Sequence, residues 1–202
     1  MRQRLSATGR TTAVTASVAA LTALGPMAPS ATARDARDVP PVGSVDLARY
    51  SGTWLQLASV PRLFEIQCAK DVKAVYTATV RGTVAVANSC TTWLGTRSGI
   101  EGEAKPLDAG RARLNVSFVP EGDGYRHGTE ANYIVVGLGA HYEWAVVTDR
   151  DRTSGFVLSR TPRLDAVRTA EVLRAVRRAG LDPHDFRTTR QDGGDPAWGL
   201  HP

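Results

Sequence analysis

An all-β domain with a single helix near its C-terminal end is the fold this sequence predicts, and three observations predict it. From Trp54 onward, short stretches of alternating or apolar character recur at close spacing, with Gly, Pro, Asp and Asn between them. One segment, after Asp165, instead repeats its apolar residues at near-helical spacing. Two cysteines, Cys68 and Cys90, flank an apparent hairpin. The candidate strands are 52–59, 73–80, 83–89, 97–105, 112–119, 132–138, 142–148 and 155–160. Eight antiparallel strands fit a closed up-and-down barrel, which leaves no exposed edge and whose interior just holds one small ligand. On pattern alone a two-sheet sandwich fits as well.

The chain opens with Arg2, Arg4 and Arg10, followed by an apolar run from Thr11 to Leu24 and then Ala31-Thr32-Ala33. A basic start, an apolar middle and small residues at a cleavage position mark a secretory signal peptide. It is expected to cover residues 1–33, with cleavage before Arg34. The run is too short and too rich in Ala and Thr to span ~30 Å of hydrocarbon. No Cys lies in this region, so the expected product is secreted to the extracellular or cell-envelope space without a lipid anchor. Residues 34–44, with Pro40-Pro41 and Gly43, read as a flexible leader. Residues 45–191 form one domain, and 192–202 read as a disordered tail.

The formal charge is +5, but the signal region holds three of the 25 basic residues and none of the 20 acidic ones. The remainder is near neutral with both signs interspersed and gives no electrostatic footprint for nucleic acid or an anionic membrane, so neither a nucleic-acid partner nor stable membrane insertion is expected. An even cysteine count in an oxidising compartment favours a Cys68–Cys90 disulfide over a metal pair, with two independent buried thiols as the alternative. The hairpin between them turns at Arg81-Gly82, where Gly supplies the positive φ that tight turns need. Pairing Val80 with Thr83 places Cys90 opposite Lys73, so Cys68 has to reach back from a loop before the strand.

Asp165 is placed to cap a helix running to about Ala179, with Gly180 as its stop. Val167, Ala170, Leu173 and Val176 form the apolar stripe, and Arg168, Glu171, Arg174, Arg177 and Arg178 fill the rest. A short ninth strand is expected at 186–190. His127, His141, His184 and His201 are scattered, none at ligand spacing from another His or Cys, and Gly-x-Ser-x-Gly is absent. No catalytic residue, metal or cofactor is therefore expected.

Gly52-Thr53-Trp54 at the head of the strand series, Thr148-Asp149-Arg150 near its end, and Leu158-Ser159-Arg160-Thr161-Pro162 before the helix stand in the order of lipocalin motifs. Asp46-Leu47-x-x-Tyr50-x-Gly52-x-Trp54, Pro61-x-x-Phe64, Ala74-x-Tyr76, Val86-x-Asn88, Gly102-x-Ala104-Lys105, Leu114-x-Val116-x-Phe118 and the run Tyr142 to Val147 resemble the bacterial, apolipoprotein D-like branch of that family. The resemblance covers about 45–191. It implies an eight-stranded antiparallel up-and-down lipocalin β-barrel with the helix packed outside, which separates barrel from sandwich. It implies that Trp54, beside Gly52, lies under Arg160 at the closed end, and that Asp149 and Arg150 hold the loop after the seventh strand. These roles are structural. Leu55-Gln56 and Ala58-Ser59 depart from the Tyr-Glu and the later Arg that the family commonly carries, so no specific ligand carries over from relatives.

Side chains alternate along a strand, so one parity lines the interior. Ala74, Tyr76 and Ala78 share a face, Asn88 shares one with Val84 and Val86, and Trp144 shares one with Val146. Tyr76, Asn88, Tyr133 and Trp144 are candidates to orient a ligand head group, with core packing as the alternative for each. Phe64 is a candidate lid residue at the mouth. Each CH₂ buried contributes about 0.8 kcal/mol. The expected function is to carry a small hydrophobic molecule such as a fatty acid or lysophospholipid. The alternatives are an enzyme acting on such a molecule and a protein-interaction module using the open-end loops, particularly 120–131.

Overall fold

The computed structural model describes residues 38–195 and 198–200. The expected signal peptide lies outside the described residues. A one-turn helix, α1 (Leu47–Tyr50), leads into β1 (Gly52–Ser59), and β2 (Cys68–Ala78), β3 (Val84–Thr92), β4 (Arg97–Pro106) and β5 (Arg113–Ser117) follow. A small separate hairpin, β6 (Pro120–Glu121) and β7 (Gly124–Tyr125), interrupts the run before β8 (Tyr133–Leu138), β9 (Trp144–Thr148) and β10 (Gly155–Ser159). Consecutive barrel strands pair antiparallel, and β10 pairs back onto β1 with Leu55 opposite Ser159. The sheet therefore closes, and the sandwich is excluded. After α2 (Ala166–Arg178), the short β11 (Arg187–Thr188) pairs with the far end of β1, the ninth strand expected at 186–190.

Closure at one end comes from α1. The Asp46 carboxylate accepts from the backbone of Ala48 and Arg49, which fixes the turn, and Leu47 and Tyr50 are buried beneath the barrel. At the opposite, open end the strands splay. β5 and β8 pair only at Arg113 and Leu114, and the Asn132 side chain then substitutes for backbone, accepting from Val116 N at 2.7 Å and donating to Val116 O at 2.9 Å.

The β2–β3 hairpin differs from the sequence expectation by one residue. Ala78 pairs with Val84 and Lys73 with Ser89, because Val80-Arg81-Gly82 is a three-residue loop with Gly82 at φ 78°. Thr79 and Thr83 close it through backbone and hydroxyl hydrogen bonds, and Thr92 and Thr96 repeat the same device around Gly95. Cys68 belongs to β2 itself. It bonds to Cys90 beside two irregularities in the ladder, the second of which holds Asp71 at φ 55°. Closing a loop of this length contributes about 3 kcal/mol.

β9 is buried along its whole length because the barrel core lies on one side and α2 on the other. The docked face of α2 is Val172, Ala175 and Val176, continued by Ala179, against Leu57, Ala58, Val146 and Val157. This corrects the expected stripe: Val167 and Ala170 are exposed. A run spaced strictly by three precesses around a helix of 3.6 residues per turn, so it cannot keep one face toward the barrel.

Both expected loose ends are packed where they are described. Val39 is fully buried, Val42 N donates to Val135 O, and Arg113 donates to Asp38 and to Val39 O, so residues 38–44 lie along the barrel. Beyond β11, Trp198 donates to Thr169 on α2 and Leu200 is buried beside the same helix. Apolar residues in short polar surroundings decided both segments, which composition alone reads as loops.

Candidate functional site: the barrel interior

The closed end is held by one cation. Arg160 places Cζ 3.8 Å from the Trp54 ring centroid and donates to the carbonyls of Thr53, Arg49 and Ser51 at 2.8–2.9 Å. The Trp54 indole donates to Tyr50 O at 2.8 Å. The guanidinium thus binds the Arg49 and Ser51 carbonyls at the end of α1 together with Thr53 O on β1, while the stacking contributes about 0.5–2 kcal/mol. At φ 98°, Gly52 opens β1, and a Cβ there would meet Arg160 Nη1 at 3.3 Å. Asp149 holds the β9–β10 turn by accepting from Thr153 N and from the hydroxyls of Thr153 and Ser154. Burial opposes its ionisation, but these bonds outweigh it and hold the carboxyl below its ordinary range. Arg150 ties the same turn to Glu130 of the β7–β8 connection.

Above that end sit three tyrosines. Tyr133 Oη lies 2.9 Å from Tyr50 Oη and 3.1 Å from Tyr76 Oη, with the Tyr50 and Tyr76 rings stacked at 5.7 Å. All three phenols are raised, by burial first, Tyr76 to about 12. Three hydroxyls share two hydrogen bonds, which leaves one proton without a protein acceptor. The void beside them, lined by Tyr50, Tyr76, Val84, Ala104, Leu114 and Tyr133 among others, measures about 20 Å³. That is room for one water and no more.

The upper half of the barrel is different. Ala74, Asn88 and Ile100 are register neighbours across β2, β3 and β4, on the face that carries Tyr76, Val84 and Val86. Ile100 points inward by that parity, yet it is 52% exposed, so the wall it stands on is open. Asn88 Oδ1 is buried there without a hydrogen-bond partner. Phe118, lying against Gly102, and Phe156 complete the apolar wall, and Gln56 and Ser59 line the same face of β1. Ser59 donates to the Glu65 carboxylate at 3.0 Å, and burial pushes that carboxyl up.

Of the residues singled out from sequence, Ala74, Tyr76, Asn88 and Tyr133 share the interior, whereas Phe64 sits in the loop after β1 and is exposed. Trp144 does not line the interior. It is buried on the outer face between the barrel and α2, where its indole donates to Glu171 at 3.1 Å. With both faces of β9 covered, alternation carries no sign of which face is which. Sequence reasoning missed Tyr50, Gln56, Ser59 and Glu65. The Asp46-x-x-x-Tyr50 capping pattern signals the turn of α1 but not that its tyrosine plugs a barrel.

One polar cluster lies outside. Glu103, on the outer face of β4, accepts from Thr83 and Arg81 and pairs with His127 Nε2 at 3.2 Å, and His127 Nδ1 lies 3.0 Å from Asn115 O. Burial disfavours the Glu103 anion, but these partners outweigh it and its carboxyl is held low. The pair pins the β7–β8 connection to the wall. Among the described residues no cluster of His, Cys, Asp and Glu has the makings of a metal site.

The profile of the lipocalin-like domain family matches residues 45–191. Temperature-induced lipocalin-1 of Arabidopsis thaliana is 28% identical over 158 residues, 77% of this chain and 84% of the relative. The outer membrane lipoprotein Blc of Escherichia coli strain K12 is 33% identical over 154 residues, 75% of this chain and 82% of the relative. Insecticyanin from the tobacco hornworm Manduca sexta, 19% identical, superposes with a TM-score of 0.59 over 75% of this chain and 84% of that one, a likeness of fold alone. A closed eight-stranded barrel, its Trp54–Arg160 closure and these matches agree: the chain belongs to the lipocalin family, in the branch that holds Blc.

Proposed function

We propose that this protein carries a small lipophilic molecule in the upper half of its barrel, bound by burial and without chemical turnover. The observation that carries the reading is Asn88: a buried carbonyl oxygen without a partner, set beside the open Ile100 wall. An orphaned buried acceptor is costly, and a donor on a ligand relieves it. The ligand it favours therefore has a hydroxyl or amide N–H near an apolar chain. An ionised fatty acid offers acceptors only, and Glu65 at the mouth disfavours its charge. A single-chain lipid with a free hydroxyl, such as a lysophospholipid, suits the wall better. Ala74 contacts the chain, Tyr76 and Tyr133 form the floor, and Phe64 stands at the lip. Trp144 has no part in it. The Cys68–Cys90 bond supports an oxidising compartment outside the cytoplasm, in keeping with the leader.

Titration of the purified protein with a lysophosphatidylcholine and with the fatty acid of equal chain length, each displacing a dansyl-labelled lipid, tests this. One-to-one saturable binding with preference for the lysolipid is expected. Asn88→Leu should weaken the lysolipid about tenfold, the worth of one buried hydrogen bond, and leave the acid unchanged. Saturable binding of neither lipid would end the reading.

A further inference from the structure

Large apolar residues concentrate where two loops meet at the open end. The loop after β1 carries Leu63, Phe64 and Ile66, and the β3–β4 turn carries Trp93 and Leu94, all exposed, with Trp93 at 72% and Leu94 at 89%. The loops are held as one unit. Trp93 Nε1 donates to Ile66 O at 2.8 Å, Trp93 N donates to Gln67 O, and the Cys68–Cys90 disulfide ties their roots. Contiguous exposed apolar side chains on a protein surface mark a contact site.

We propose that this rim docks on the surface of a phospholipid bilayer, its apolar tips inserted and Arg62 and Arg97 at the level of the lipid phosphates, with the barrel mouth facing the membrane. Three features select a bilayer. The side chains are largely exposed tips on turns rather than the walls of a groove, and a fluid interface receives such tips without a complementary socket. The one polar atom of the Trp93 indole is already paired to a carbonyl, so the ring presents an apolar body, and tryptophan with basic neighbours is the composition of membrane-interface anchors. Arg62 and Arg97 flank the tips, their guanidinium groups donate to Thr153 O and Ser89 Oγ, and among the described residues neither has an ion-pair partner. They are thus available to anionic oxygens. Among the described residues no helix is long and apolar enough to cross a membrane, so the attachment is a peripheral one. The docking stands on the rim alone; only its consequence, passage of a lipid between bilayer and cup, rests on the carrier reading above.

Co-sedimentation of the full chain with vesicles of phosphatidylcholine containing a minority of phosphatidylglycerol tests the proposal. The unaltered protein should partition onto the vesicles, and the Trp93→Ser, Leu94→Ser double variant should partition roughly tenfold less or worse, the loss that follows from withdrawing two large apolar side chains. Trp93→Phe keeps an apolar tip and should retain binding, while losing the fluorescence quenching that brominated acyl chains cause in the unaltered protein. Lysolipid binding from solution by the double variant should stay unchanged, which separates a failed rim from a failed cup. Vesicle binding that is absent, or that the double variant leaves intact, overturns the proposal. So does a dimer of the unaltered chain that the double variant dissociates while vesicles bind neither form.

Discussion

Tyr133 is the residue on which the closed half of the barrel turns. Its hydroxyl serves both Tyr50 and Tyr76, and no water-filled space is at hand to replace it beyond the 20 Å³ void. Replacing it with phenylalanine strands two buried hydroxyls, which should cost about 1–3 kcal/mol at neutral pH. The same triad sets an alkaline limit. A tyrosine in the unfolded chain ionises at ~10, whereas burial raises all three native phenols, Tyr76 to about 12. Above ~10 the unfolded state therefore sheds protons that the native state keeps, and the stability present below that pH is lost progressively as pH rises through the native values. Urea unfolding midpoints should fall steeply across that window, and less steeply in Tyr133→Phe, which removes one of three titrating groups. An identical alkaline slope in the two proteins would show that the triad does not govern it.

Between elements, one tight fit is the seat of α2. A Cβ added to Gly137 on β8 would stand 2.5 Å from Ala175 Cβ, a distance real side chains do not tolerate, so the helix must lift or tilt. Gly137→Ala should lower stability by about 1–3 kcal/mol in thermal or chemical unfolding, and Ala175→Gly in the same chain should restore part of it. Non-additivity of the two substitutions is the signature, and simple summation would show that they do not touch. This seat also explains what the sequence conceals. Strand existence is legible because short alternating or apolar stretches recur between turn residues, and the motif order of Gly52-Thr53-Trp54 and Arg160 distinguishes barrel from sandwich. Which face of β9 is inside is not legible, because Trp144 to Thr148 are buried on both sides, and Trp144 therefore lands against α2 instead of a ligand. The hairpin register slips by one because a two-residue and a three-residue loop around Gly82 look alike until the Thr79–Thr83 closure is seen. Asn88 is readable as an inward polar residue; that its oxygen lacks a partner is a matter of three dimensions.

For the molecule as a whole, depth is the controlling dimension. The lower half of the barrel is filled by Trp54 and the three tyrosines, and only the upper half, from Ala74 and Asn88 to the rim, has an open wall. A chain entering from the rim can therefore be desolvated only until its end meets the Tyr76–Tyr133 floor. Affinity across a homologous series of lysolipids should rise by close to fourfold per added CH₂ while that depth is being filled, the equivalent of about 0.8 kcal/mol, and then level off as further methylenes remain in solvent. Removing the floor moves the plateau. Tyr76→Ala should extend the rising part to longer chains, with Tyr76→Leu as a better-packed intermediate should the smaller residue compromise folding. Calorimetric titration of each variant with the same series measures the break point directly. A break that stays at one chain length in all three proteins would mean that the ligand never reaches the floor and that the length limit is set at the rim.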